Sequence, residues 1–215
     1  MNMIHIRRLM ILMLCLMPLA LCGCPAVGWL AAQAAGPEKT KPLYQPPKDK
    51  RVLVFVDDVY QPVSFQPVKS DLTAAICDQL IANKLAASTV PYEQLLDALD
   101  NQTRVLSIKE VGQKVGADLV LYVNIEKFSL KEEGNSALWH GQMQASVRWI
   151  DPNGDTRESV RLWPTDRAEG HVVPEVELPV SNDEAPSYGA DLTKLLAANT
   201  ANRIVRLFYE AVAPK

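Results

Sequence analysis

Histidine is scarce in this chain, and so is every other residue type that usually announces chemistry. Three histidines occur, at positions 5, 140 and 171, and neither His140 nor His171 lies in a His/Cys/Asp cluster, so the spacing of a zinc site is missing. No Gly-x-Ser-x-Gly elbow, phosphate-cradling glycine loop or nucleophile with a nearby base stands in the sequence. The formal net charge is −3, and a mildly acidic product does not suit nucleic acid or anionic lipid surfaces as main partner. The longest apolar run, Leu9 to Leu21, is too short for a spanning helix of about 20 residues. No pair of long alternating amphipathic segments supplies a transmembrane barrel hairpin. The expectation is a protein that is not an enzyme, with no catalytic residues, no cofactor, no metal and no small-molecule substrate.

That short apolar run is the most informative stretch present. His5, Arg7 and Arg8 precede it as a basic n-region, and its length is that of a signal h-region, roughly 7 to 15 residues. It ends in Leu21-Cys22-Gly23-Cys24, the pattern of a bacterial lipobox. Gly23 offers the peptidase a small side chain, and Cys24 offers the thiol that a thioether-linked lipid requires. The competing reading is an ordinary secretory signal cleaved at an Ala-x-Ala site within Ala32 to Ala35. Two or more acyl chains anchor stably where a single one binds only marginally, so a diacylglyceryl group with an N-acyl chain on Cys24 is sufficient for membrane attachment. Residues 1–23 are thus read as a lipoprotein signal peptide. Cys15 and Cys22 leave with it, and Cys77 remains as a lone thiol expected to be buried.

Residues 24–50 read as a lipidated, proline-rich tether. Gly36-Pro37-Glu38-Lys39-Thr40-Lys41-Pro42 and Gln45-Pro46-Pro47-Lys48-Asp49-Lys50 are charged and proline-spaced, which favours extended polyproline segments over a packed core. Residues 51–215 read as one α/β domain. Val52-Leu53-Val54-Phe55-Val56 has the continuous apolar character of a strand buried on both faces. The acids that end it, Asp57 and Asp58, are read as a solvated turn in preference to a metal site. Ser70 is placed as the cap of a helix running to Leu85, Ala86 to Val90 as a second strand, and Pro91 in the first turn of a helix to Leu99. Ser107-Ile108-Lys109-Glu110 is a capping box for a short helix ending near Gly116. Ala117 to Phe128 is the strongest strand, turning at 132–135 into a hairpin partner from Trp139. On that partner Met143, Ala145, Val147 and Trp149 alternate with Gln142, Gln144, Ser146 and Arg148. Thr156 to Trp163 is expected to return as a further strand, 165–187 to be a long loop, and Ala190 to Val212 an amphipathic helix with a looser first half. The predicted fold is α/β, a mixed sheet of about five strands flanked by helices in the order β-α-β-α-α-β-β-β-α.

This order of elements, behind a lipid anchor and tether, resembles the small periplasmic α/β domain of the penicillin-binding-protein activator lipoproteins, the curli-secretion lipoproteins and the amino-terminal domain of TolB. The residues that carry the resemblance are Val52 to Asp57, the Val90-Pro91-Tyr92-Glu93-Gln94-Leu95-Leu96 passage, Val115-Gly116-Ala117-Asp118-Leu119-Val120-Leu121-Tyr122, and the hairpin ending in Trp163. The resemblance implies a periplasmic module that docks on an envelope protein complex, in cell-wall synthesis or in export. Its partners would be the membrane, through the anchor, and an envelope protein. The docking surface expected from the sequence is the polar face of the hairpin with the 165–187 loop, including Arg148, Arg161 and Trp163. The alternative is a structural or export-complex subunit acting as a homo-oligomer. Pro25, standing where an aspartate would signal inner-membrane retention in enteric bacteria, favours the outer membrane.

Overall fold

The computed structural model describes residues 39–59, 63, 67–100, 104–132, 134–182 and 188–212. The expected signal peptide, the expected lipid attachment at Cys24 and the first part of the expected tether lie outside these residues. The chain divides into one compact unit, Lys41–Ala211, and the remainder, Met1–Thr40 with Val212–Lys215. Lys39, Thr40 and Val212 of the remainder are described, all in extended backbone.

The compact unit is α/β, as predicted. Strand β1 is Arg51–Asp57, and its apolar run is buried because both faces of the sheet are covered by helices. Helix α1 follows at Pro67–Ala82, one turn earlier than expected. Ser70 lies within it and donates its hydroxyl proton to the Pro67 carbonyl at 2.9 Å, so it is not the cap the sequence suggested. Strand β2 is Ser88–Thr89, shorter than predicted because Pro91 diverts the chain into α2, Tyr92–Leu99. Helix α3, Ile108–Lys114, begins with the predicted capping box: Ser107 Oγ accepts from the Glu110 N–H, and the Glu110 carboxylate accepts from the Ser107 N–H at 2.8 Å. Hydrogen bonding to Arg104 first, then to Ser107, holds the Glu110 carboxyl down to about 2. The helix closes at Gly116, whose φ of +65° is one that side-chain-bearing residues rarely adopt. Ser107→Ala should therefore cost about 1 kcal/mol. A matching fall of the urea midpoint at unchanged slope is the check.

Strand β3, Leu119–Glu132, runs parallel to β1 with Val52 opposite Leu119 and Asp57 opposite Asn124. It turns back into β4, Asn135–Ile150, its antiparallel partner. Val52, Val54, Leu121, Val123, Met143 and Trp149 belong to the larger core, shared with α1 and α5 (Tyr188–Val205). Leu53, Val120, Tyr122 and Ile150 belong to a smaller one, shared with α2 and α3. The continuous burial from Leu119 to Ile125, giving way at Glu126 and Lys127, is the change from two-sided to one-sided burial that the sequence showed.

Larger expectations also need correction. Thr156 to Trp163 is not one strand: Arg157–Val160 forms a short helical turn, α4, capped by Thr156, and only Arg161–Trp163 is strand β5. Within the stretch read as a long loop runs an interrupted edge strand along β4. After β5, His171–Val172 (β6) pairs with Ser146 and Val147, Val176–Glu177 (β7) pairs with Gln142 and Met143, and Ser181 bridges Trp139. Pro174 and Pro179 break the periodicity that would have revealed it, yet an edge strand tolerates proline because one row of its amides needs no partner. Residues 183–187 of that stretch lie outside the described residues.

The third correction concerns 41–50, placed in the tether. Here this segment packs on the domain: the Leu43 N–H donates to the Leu207 carbonyl at 2.8 Å, and Tyr44 stacks on Trp163 with ring centroids 6.1 Å apart. Pro46 is buried. One aromatic ring on an apolar platform outweighs a local composition that alone could not order itself. Helix α5 is also more evenly packed than predicted, with Leu192, Thr193, Leu196 and Ala197 buried in its first half. Thr193, Ala197 and Ala201, all buried, are small enough to let α1 approach. Cys77 is half-buried, and burial pushes its thiol pKa up, away from reactivity. Among the described residues no helix is long and apolar enough to cross a membrane.

Candidate functional site

The site begins where β1 ends. In open α/β sheets the carboxyl ends of parallel strands leave a crevice, because the following helices diverge from the sheet. Here β1 delivers Asp57 to that end, beside Tyr122 of β3. The Tyr122 hydroxyl donates to Asp57 Oδ2 at 3.0 Å, and the Asp58 N–H donates to Asp57 Oδ1 at 2.8 Å. Asp58 itself pairs with Lys69 of α1. Phe55 meets the Tyr122 ring edge to face at 5.6 Å, and the Arg148 guanidinium lies over the same ring at 4.6 Å. Burial, and after it the Asp57 charge, pushes the Tyr122 phenol well above its usual range, so it stays a proton donor to Asp57.

Next to this group opens a cleft of about 670 Å³ between the end of β1 and helix α2. Its apolar wall carries Leu96, Leu99 and Val105, which are 47%, 38% and 94% exposed. Its polar groups are Asp57, Lys69, Tyr92 and Arg104, with Arg104 engaged by Glu110. Burial raises the Tyr92 phenol as well. The lining is mixed, apolar over little more than half of its extent, with a few fixed polar groups of the kind that orient a ligand in a cleft. Among the described residues no three His, Cys, Asp or Glu side chains gather as a potential metal holder.

The three residues predicted for docking do not form one surface. Arg161 pairs with Ile150 in the β4–β5 register, which puts it on the same sheet face as Arg148. Arg161 borders a small recess with Arg157, Glu158 and Thr165. Trp163 pairs with Trp149 and faces the opposite side, where it meets Phe208 edge to face at 5.6 Å in addition to Tyr44. It is a core-edge residue here. Arg148 is also less free than the alternation suggested: its guanidinium donates to the Ala168 carbonyl at 2.9 Å, and Ser146 beside it is 1% exposed. Gly170 makes this closure of the 164–170 turn feasible, since a Cβ there would meet Arg148 Cγ and the Val147 carbonyl at 2.9 Å.

His171, expected in a loop, starts β6 and lies 5.2 Å from the Trp163 ring. Burial first, and then the Arg167 charge, lowers its pKa from the ordinary 6.5. A base with a lowered folded pKa favours its neutral form, so its contribution is present above the ordinary value and is lost as pH falls through the lowered one. Melting temperature should therefore drop between pH 7.5 and 5, and His171→Gln should flatten part of that drop. Equal slopes for both proteins would remove His171 from the account.

The cleft was not legible as a site from the sequence. Its only local signals were the Asp57-Asp58 pair and the surplus of leucine on the short α2, neither of which specifies a cavity.

No protein-family model matches this chain, and no curated protein matches it by sequence. Solved structures of similar chain path include the PelC dodecamer from Paraburkholderia phytofirmans, at 12% identity over 81% of this chain and 97% of that one, with a TM-score of 0.40. Lipoprotein GNA1162 from Neisseria meningitidis is similar at 14% identity over 71% of this chain and 98% of that one, TM-score 0.40. Uncharacterized lipoprotein B from Nitrosomonas europaea is similar at 14% identity over 77% and 84% of the two chains, TM-score 0.31.

Proposed function

We propose that this chain is a lipid-anchored envelope module, attached through Cys24 to the outer membrane on its periplasmic side, that works by docking on another envelope protein and not by catalysis. The observation that carries the docking role is the exposed apolar wall of the cleft, Leu96, Leu99 and Val105, because a soluble surface rarely leaves such residues together beside a pocket without a use. The direction of the pKa shifts supports a non-catalytic reading: burial makes Tyr92, Tyr122 and Cys77 weaker acids, the opposite of what an activated nucleophile requires. The mechanism is tethering, in which the lipid fixes one end, the linker sets reach, and the restricted volume raises the effective concentration of the domain near its partner. The resemblance read from the sequence makes a cell-wall synthase or an export component the kind of partner to look for.

In-cell crosslinking of the lipidated protein, followed by detergent extraction and identification of adducts, tests this reading. Recovery of a distinct envelope protein, lost when residues 41–212 are deleted and the anchor is kept, is the expected result. Crosslinks between copies alone, forming a ladder that stops at one size, would replace the docking module with a self-assembling subunit.

A further inference from the structure

The two edges of the sheet are treated differently by this fold. Along β4 the outer edge is filled by β5, β6 and β7 and guarded by Pro174, Pro179 and the exposed Glu177. Among the described residues the opposite edge is covered only along the first two residues of β1, Arg51 and Val52. There Val52 accepts from the Val90 N–H at 2.9 Å, and β2 then ends because Pro91 leads the chain away into α2. Arg51 points its carbonyl at β3, accepting from Asp118 N–H, so by strict alternation Val52, Val54 and Val56 direct their main-chain groups to the β2 side. Beyond Val52 those groups meet no strand among the described residues. The side chain of Val56 belongs to the larger core, and Val56 also lines the cleft.

Charge adds a second requirement. Asp57 is bonded to two neutral donors, and no cation pairs with it among the described residues, whereas Asp58 has Lys69 and Glu110 has Arg104. An anion at a cleft mouth without its own counter-ion favours a cationic group on what enters.

We propose that the cleft receives an extended, basic segment of the partner protein as an added strand beside Val54 and Val56, with a Lys or Arg side chain at Asp57 and alternate apolar side chains against Leu96 and Leu99. This is strand addition, in which main-chain bonds hold the segment and side-chain pockets select it. It rests on the docking role proposed above and names the partner's chemistry. A short edge gives few main-chain bonds, so selection by the charge and the leucine wall is a large part of the interaction.

The test titrates fluorescein-labelled ten-residue peptides of alternating Val and Thr, with a central Lys or a central Glu, against the full mature lipidated protein in nanodiscs. A third peptide carries the Lys but is N-methylated at alternate amides, which removes strand pairing. The Lys peptide should bind about tenfold or more tightly than the Glu peptide, and the N-methylated one should not bind. Asp57→Asn, which keeps the acceptor for Tyr122, should abolish the preference for Lys, and Leu96→Glu should weaken both peptides while circular dichroism shows the fold retained. Binding that ignores N-methylation, equal binding of the Lys and Glu peptides, or no binding by any of them would overturn the strand-addition proposal. Those outcomes leave the crosslinking result of the docking reading to stand or fall separately.

Discussion

Replacing Trp149 by alanine should remove about 3–5 kcal/mol of stability, a large part of the 5–15 kcal/mol typical of a domain. The indole is fully buried at the centre of the larger core, with Phe208 edge to face at 5.4 Å and Tyr44 tilted against it at 6.3 Å. Among the described residues its Nε1 proton meets no acceptor, so the loss is one of packing and no hydrogen bond enters the account. The cavity left behind would be walled by residues from β4, the segment after α5 and the 41–50 strap, elements that cannot all move inward at once. Trp149→Phe should cost less, because it keeps an aromatic ring and deletes an unpaired buried N–H. Urea unfolding of the three proteins measures this order, and a Trp149→Ala midpoint within error of the parent would contradict the packing described. Because Tyr44 also loses part of its seat, residues 41–50 should become cleavable by protease before the domain unfolds.

Cys24→Ser should abolish membrane attachment altogether. A hydroxyl cannot take the thioether-linked diacylglyceryl group, and without it the second acyl chain on the new amino terminus is not added either. The measurement is incorporation of an alkyne-bearing fatty acid, with the amino terminus of the product read by mass spectrometry. The parent should carry the label and begin at Cys24, and the variant should carry none. If the signal were instead cut within Ala32 to Ala35, both proteins would yield the same unlabelled terminus, and the anchor would be removed from the proposed function. The effect is all or none because stable anchoring takes two acyl signals and the hydrophobic residues after Cys24 do not amount to a span.

These two changes act on different levels of information. Cys24 is meaningful from its neighbours alone: a peptidase and an acyl transferase read a short linear string, so Leu21-Cys22-Gly23-Cys24 carries the reading without a fold. Trp149 was legible as inward-facing from the alternation along β4, but its partners came from positions far away in the chain. Tyr44 shows the limit of local reading. Prolines and charges around it indicate a segment unable to order itself, and that remains true until Trp149 and Trp163 present an apolar surface for its ring.

The strands and helices with strong periodicity were legible because their signals are local. Val52 to Val56, Leu119 to Ile125 and the Ser107–Glu110 capping box each encode their state within a few residues, through burial on two faces or reciprocal bonds over one turn. The interrupted edge strand at 171–181 was not legible. Its prolines deny it periodicity, and its strand character comes from the free edge of β4 beside it. The facing of the expected docking residues was not legible either: Arg148, Arg161 and Trp163 all belong to the hairpin and its return, yet the register places Trp163 on one face and the arginines on the other.

By itself, then, the sequence determined the α/β class and the elements whose periodicity is self-contained, because each depends on contacts within a short stretch, and it alone is the source of the expectation of an export signal with a lipidated Cys24. Tertiary structure decided where the domain begins, which sheet edge is guarded and which is left short, and that Asp57, Leu96 and Val105 border one cleft. Those features depend on distances between residues far apart in the chain, set only when both helical layers close on the sheet.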